Sequence, residues 1–254
     1  MTTPDSVVHA PHVPLTDYYK TEQDRQAYLR QIFDNTAADY DRIEFMLAFG
    51  TGPGYRRDAL VRAGLKTGMK LLDVGVGTGL VAAQACILTG DPALVTGIDP
   101  SPGMMAASKL PKTMVLLEGR AESLPFPDNH FDFLSMGYAL RHISDLSVAF
   151  VEFERVLKPG GKLCLLEITR PQSGVGRWLL KSYMRGVIPL LTRFVSTQKD
   201  TATIWRYFWD SIEACVPPEK VIDTLNAAGL TQVKRHLVAG IFSEYQAIKG
   251  GQSD

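Results

Sequence analysis

Short, nearly unbroken apolar runs alternate with stretches of helical periodicity through most of the chain. KLLDVG at 70–75, LVTGID at 94–99, MVLLEG at 114–119, FDFLSMGY at 131–138 and KLCLLEIT at 162–169 have the pattern of strands buried on both faces. Between them, 78–89, 102–109 and 146–157 predict helices, the first stopped by Gly90-Asp91-Pro92 and the last by Lys158-Pro159-Gly160-Gly161. Strands alternating with helices predict a parallel sheet covered on both faces. The alternation lapses over 171–215 and resumes at 217–229 with PPEKVIDTLNAAG, a helix started by Pro and stopped by Gly. The last two runs, TQVKRHLV and IFSEYQAIK, lie too close together for a helical crossover and predict an antiparallel pair at the sheet edge. Upstream, 22–49 reads as two short helices broken near Asn35–Thr36, 51–55 as a turn and 55–65 as a helix. Residues 1–20 read as a loose arm.

Composition narrows the function. The chain has 254 residues, enough for one large domain with a lid. Lys and Arg number 27 and Asp and Glu also 27, a zero balance that argues against a nucleic-acid binder. Cys86, Cys164 and Cys215 are isolated, and the histidines have no ligand spacing, so no metal site is expected. The opening MTTPDSVVHAPHVP lacks a basic-then-apolar pattern, and no apolar run approaches the ~18 residues of a membrane span. A cytoplasmic protein is expected.

The sharpest local motif is Asp73-Val74-Gly75-Val76-Gly77-Thr78-Gly79, which follows the first strand and opens a helix. Glycines there let a ligand approach the backbone, and the helix start offers free N–H groups. The second strand ends in Asp99, placed to accept both hydroxyls of a ribose. A pyrophosphate loop would read GxGxxG. This one reads GxGxG behind an acid, which repels pyrophosphate and suits a cationic ligand. Taken alone, the loop could also be a plain tight turn.

Further segments carry a resemblance. IFDNTAADYDRIEFMLAFG, LLDVGVGTG, GIDPSPGMM, RAESLPFPDNHFD, GYALRHISDLSVAFVEFERVLKPGGKLCLLEITRP and the closing AAGL follow in order. Together they resemble the ubiquinone/menaquinone C-methyltransferase family, class I methyltransferases that use S-adenosylmethionine (SAM). The resemblance implies a Rossmann-like α/β fold with a mostly parallel seven-stranded sheet, its last strand antiparallel. It also implies SAM as methyl donor, with S-adenosylhomocysteine as product. Gly75, Gly77 and Gly79 would floor the methionine part, Asp73 would face its cationic end and Asp99 would hold the ribose. Met104 would pack on the adenine, with Arg120 and Ala121 at the adenine edge and Tyr40 folded over the cofactor. Tyr138, Arg141 and His142 past the fourth strand, and Glu167 at the end of the fifth, would form the catalytic rim. There a histidine of near-neutral pKa can take a proton and an arginine can steady a phenolate. Structural readings stand beside these: an ion pair of Arg141 with Asp145 or Glu167, a hydrogen-bonded loop His142, a capping role for Asp99. The chain departs from the family in having Arg141-His142 where Arg-Asn is usual, and in Arg120 where Asp or Asn is common.

The expected division is an arm and helical lid at 1–54, a SAM-binding core at 55–170, a lid insertion at 171–215 and the rest of the core at 216–254. Residues 170–199 carry Arg170, Arg177, Lys181, Arg185, Arg193 and Lys199 with no acid, interleaved with apolar residues. The segment reads either as a lid packed on the core or as a surface resting on anionic lipid. The expected reaction is C-methylation of a polyprenyl quinol or related lipophilic phenol. Alternatives are a C- or O-methyltransferase of a secondary metabolite or terpenoid, and a SAM-binding protein with altered chemistry. Expected partners are a lipophilic small molecule and no nucleic acid. Peripheral membrane contact and a homodimer stay open.

Overall fold

In a computed structural model, which describes residues 9–48, 50–196 and 200–251, seven strands form one sheet in the order β3-β2-β1-β4-β5-β7-β6. The first eight residues of the expected arm, Phe49 and Lys199 lie outside the described residues, as do the side chains of Met46, Leu47, Arg193 and Phe194. Strands β1 (Leu71–Val74), β2 (Val95–Asp99), β3 (Val115–Glu118), β4 (Phe131–Gly137) and β5 (Leu157–Ile168) run parallel. The closing pair is β6 (Leu230–Val238) and β7 (Phe242–Lys249). They form the expected antiparallel pair at one end of the sheet, β6 as the edge strand and β7 antiparallel also to β5. The burial of β1 and β2 at every position is what their unbroken apolar runs require.

Helices α3 (Leu80–Thr89), α4 (Pro102–Ala106), α5 (Leu146–Val156) and α9 (Pro218–Ala227) cover the sheet as the periodicity predicts. One core packs Phe131, Leu134, Phe150, Phe153 and Leu225. A second packs Leu60, Leu71, Val81 and Phe133. The expected stop at 158–161 is a turn folded into β5, where pairing with β4 jumps from Phe131–Leu157 to Phe133–Lys162 and Gly160 takes a φ of 77°.

The N-terminal region departs most from expectation. Helix α1 runs unbroken from Glu22 to Leu47. Asn35 and Thr36 are poor helix residues because their side chains compete for the backbone. Here Thr36 bonds back to the Ile32 carbonyl at 2.7 Å, and Asn35 donates to Asp200 at 2.8 Å. Helix α2 (Gly52–Arg62) begins inside the expected turn, with proline in its first turn. The arm is docked from residue 9 onward. The Val216 N–H donates to the Pro11 carbonyl, and the Tyr18 hydroxyl donates to Asp210. A third cluster, holding Tyr19, Leu29, Ile32, Met184, Ile188, Ile204, Tyr207 and Trp209, joins α1 to the 171–215 segment. That segment forms α6 (Gly174–Ser182), a π turn at Tyr183–Val187, α7 (Ile188–Val195) and α8 (Thr201–Ala214).

Candidate active site

The main cavity opens at the C-terminal ends of β1, β2 and β4, where open α/β sheets hold their ligands. Its wall includes Tyr40, Asp73, Gly75, Gly77, Asp99, Met104, Arg120, Ala121, Tyr138 and His142. Sequence reasoning therefore brings together ten of its residues. Gly79, Arg141 and Glu167 are not in the wall.

Gly77 takes a φ of 54°, and its N–H donates to Asp99 Oδ2 at 2.7 Å, so the carboxylate shapes the loop as well as facing the cavity. Asp99 Oδ1 accepts from Ser101 N–H at 2.8 Å. A Cβ on Gly75, whose φ is 68°, would stand 2.6 Å from Ala139 Cβ and close the cradle. Gly79 acts outside the wall. With a φ of 91° it caps α3, and a Cβ there would strike Leu110.

Two buried carboxyls share this cradle. Asp73 accepts the Ser135 hydroxyl at 2.7 Å, and burial pushes its pKa up to about 7. Burial raises Asp99 to about 6, against the pull of its two backbone donors. Each would hold its proton less tightly beside a cation or a hydroxyl donor.

Sequence reasoning misses Arg56. Its guanidinium lines the cavity at 3% exposure, pairs with Glu44 at 2.6 Å, and leaves Nε and Nη1 with no partner among the described residues. Buried unpaired guanidinium donors are costly and fit an anionic ligand group. A signal for it exists: Gly52, Arg56 and Leu60 are buried at four-residue spacing on α2, so Arg56 shares the inward stripe.

Tyr138 has a φ of 60°, a strained conformation outside glycine, and its N–H donates to the Leu166 carbonyl at 2.7 Å. The Arg56 guanidinium lies 5.5 Å from its ring centre. Desolvation raises the Tyr138 hydroxyl and pushes Tyr40 up to about 12, so both stay protonated at neutral pH.

His142 meets Phe33 edge-on at 5.2 Å, stacks on Tyr207 at 5.7 Å and lies 3.3 Å from the Tyr207 hydroxyl through Nδ1. Desolvation, then the cations Arg141 and Arg25, push its pKa well below the usual value. The ring is uncharged at neutral pH, a weaker base than the near-neutral histidine expected from sequence. Arg141 is 2% exposed and points away from the cavity wall. It donates through Nε to Glu167 at 2.9 Å and through Nη1 to Ser211 at 2.6 Å and the Phe208 carbonyl at 3.3 Å. Glu167 is 1% exposed and accepts the Ile168 N–H on the same oxygen. The pair is thus the ion-pair alternative, a brace that sets α8 against β5. Arg120 turns aside to Glu122 and Ser144, at 3.2 and 2.7 Å through Nη2.

Helix α1 straps three strand-end loops. Asp41 accepts from Thr78 after β1 at 2.5 Å. Asp34 accepts from Ser101 and the Gly103 N–H after β2, at 2.5 and 2.9 Å. Arg25 donates to the Arg141 and Ile143 carbonyls after β4, at 3.0 and 2.9 Å. Asp34 and Asp41 are seven residues apart, two turns on one helix face, a spacing readable in the sequence.

A model of the ubiE/COQ5 methyltransferase family matches residues 20–249. The chain is 31% identical over 241 residues to the ubiquinone/menaquinone biosynthesis C-methyltransferase UbiE of Shewanella halifaxensis, covering 91% of this chain and 95% of that protein. The same figures hold for the UbiE of Shewanella oneidensis. Among solved structures, a SAM-dependent methyltransferase of Thermotoga maritima, described as a possible histamine N-methyltransferase, superposes with a TM-score of 0.60 at 22% identity, over 86% of this chain and 99% of that one. The [4+2]-cyclase SpnF superposes at 0.62 and 19% identity, over 96% of this chain and 100% of that one. The Haemonchus contortus phosphoethanolamine N-methyltransferase 2, solved with S-adenosylhomocysteine, gives 0.61 and 18%, over 87% and 60%. At these identities the likeness concerns the fold alone, and the fold hosts more than one chemistry.

Proposed function

The chain belongs to the ubiE/COQ5 methyltransferase family, and from that premise we propose that this SAM-dependent methyltransferase methylates a ring carbon of a polyprenyl quinol or a related lipophilic phenol. The observation that carries the reading is the cavity's mixed lining. It combines Asp73, Asp99 and the unpaired donors of Arg56 with the apolar and aromatic side chains of Leu29, Phe33, Tyr40 and Ile143 and with His142.

The residues present fit the cofactor: the glycine cradle has no room for a Cβ at Gly75, and Arg56 brings buried donors without a partner. When bound, SAM supplies an electrophilic methyl on a sulfonium. Asp99 would take the ribose hydroxyls, Arg56 the carboxylate, Asp73 the ammonium, and Met104 and Ala121 the adenine. Helix α1, held by Asp34 and Asp41, excludes water from above.

On the acceptor side, the aromatic lining favours a flat ring. The uncharged His142 would hold a ring hydroxyl by a hydrogen bond, keeping the oxygen aside so that the neighbouring carbon faces the cofactor. Positioning of this kind supplies much of the rate in an in-line displacement. Arg141 and Glu167 act through α8, which presents Tyr207 and Phe208 to the His142 ring. They are positioning residues rather than groups touching the acceptor. His142 in place of the family's usual Asn favours a second reading, a phenolic secondary metabolite as acceptor.

The test is turnover of reduced, demethylated quinols with SAM carrying a deuterated methyl. Label retained on a ring carbon in the fragment spectrum supports the reading. Label lost as methoxyl shows oxygen transfer, and turnover only of non-quinol phenols favours the second reading.

A further inference from the structure

Within the 171–215 segment, one surface is absorbed neither by the core nor by the cavity. Val175, Trp178 and Leu179 on α6, with Val187, Leu190 and Leu191 around α7, are 44–71% exposed. Each trio repeats the spacing i, i+3, i+4 that places side chains on one helix face. Twelve residues separate Val175 from Val187. An unbroken α-helix would set them about 120° apart, and the wider π turn at Tyr183–Val187 cuts that to roughly 30°. The turn therefore merges two apolar stripes into one outward face. The opposite face is already used: Met184 and Ile188 are buried against Tyr19, Leu29, Ile204 and Tyr207. The core does not need the outer stripe.

Its charge points to what covers it. From Gly174 to Val195 the chain holds Arg177, Lys181, Arg185 and Arg193 and no acid, although the whole protein is neutral. Arg177 and Arg185 pair with Glu213 and Asp210 of α8 while staying about half exposed, and Lys181 is exposed with no ion pair among the described residues. A two-fold contact between copies would bring Lys181 and the half-exposed Arg177 and Arg185 against their own copies, while Glu213 and Asp210 are already engaged by these arginines. A lone exposed Trp on an apolar stripe beside cations matches instead the boundary between acyl chains and anionic headgroups. No helix among the described residues is long and apolar enough to cross a membrane.

We propose that the outer face of α6 and α7 docks this protein on an anionic phospholipid surface. The stripe lies in the interfacial plane, with Trp178, Leu179 and Leu190 entering the acyl boundary and Lys181, Arg177 and Arg185 at headgroup level. The inference goes beyond the proposed reaction and does not depend on it.

The experiment is flotation of the full chain with phosphatidylcholine vesicles, with and without about 30% phosphatidylglycerol. Wild-type protein should float with the anionic vesicles at about 0.05 M salt and be released at about 0.5 M. Partitioning should fall about fivefold for K181E and on the order of tenfold or more for L179D/L190D. Binding of S-adenosylhomocysteine by both variants, unchanged from wild type, establishes that they are folded. Wild-type protein that stays in solution with anionic vesicles at low salt overturns the proposal, as does undiminished flotation of L179D/L190D. A wild-type dimer that fails to float and is split by L179D/L190D also overturns it, making the stripe a contact between copies.

Discussion

At the scale of single residues, the charged lining of the cavity makes two sharp predictions. Arg56 carries a buried charge of which two nitrogens are unpartnered, so replacing it by Met should weaken S-adenosylhomocysteine binding by ~1.5–3 kcal/mol, the scale of a charge-assisted hydrogen bond. Calorimetry checks it, and unchanged affinity would leave the carboxylate elsewhere. Asp73 gives a pH signature. Its pKa is raised from an ordinary 3.8 to about 7 by burial, so the native state holds this proton more tightly than the unfolded chain. Its favourable contribution is full below pH 4 and lost as pH rises through about 7. Asp73→Asn, which keeps an acceptor for Ser135, should therefore gain stability over wild type as pH goes from 5 to 8, by on the order of 2–4 kcal/mol. Melting curves of the two ligand-free proteins across that range test the sign. His142 behaves oppositely to a titrating base. Already uncharged near neutrality, it should leave the shape of the rate–pH profile between 6 and 8 unaltered when changed to Asn, although the rate itself changes.

The elements were the most legible part of the chain, because the central strands are buried on both faces and periodicity reports burial directly. What stayed hidden was long-range pairing. Thr36 is a helix breaker only where nothing receives its hydroxyl, and here the Ile32 carbonyl does. Arg141 and Glu167 sit at the right strand ends, but sequence cannot tell a side chain aimed into a cleft from one aimed beneath it. The brace they form joins β5 to α8 out of water, and removing one partner of a buried pair costs far more than the pair is worth. Arg141→Ala should thus destabilise by ~3–5 kcal/mol, and Arg141→Met with Glu167→Leu should recover much of that in a denaturant titration. On α1, Asp34→Ala and Asp41→Ala each free one of three straps. Release of S-adenosylhomocysteine in stopped flow should quicken several-fold in each, with more effect on dissociation than on association.

At the scale of the whole molecule, the α1 straps and the sheet close around one site, so ligand binding should act on the entire fold. S-adenosylhomocysteine at about a hundred times its dissociation constant should add ~2.7 kcal/mol, read as a single melting transition raised by roughly 5–10 °C. A biphasic melt would mean the 171–215 segment unfolds separately. The strand order carries one more consequence. Strand β7 pairs from Ile168–Phe242 to Lys162–Ile248 with β5 on one side, and with β6 on the other. A chain emerging from the ribosome therefore has β1 to β5 available while the neighbour of β5 is still unsynthesised. Until β7 has been synthesised and freed, the unpaired flank of β5 is an open edge inside the future sheet, a template for any passing strand. Nascent protein should accordingly be most prone to aggregate, and most dependent on chaperones, in the interval after β5 emerges and before β7 does.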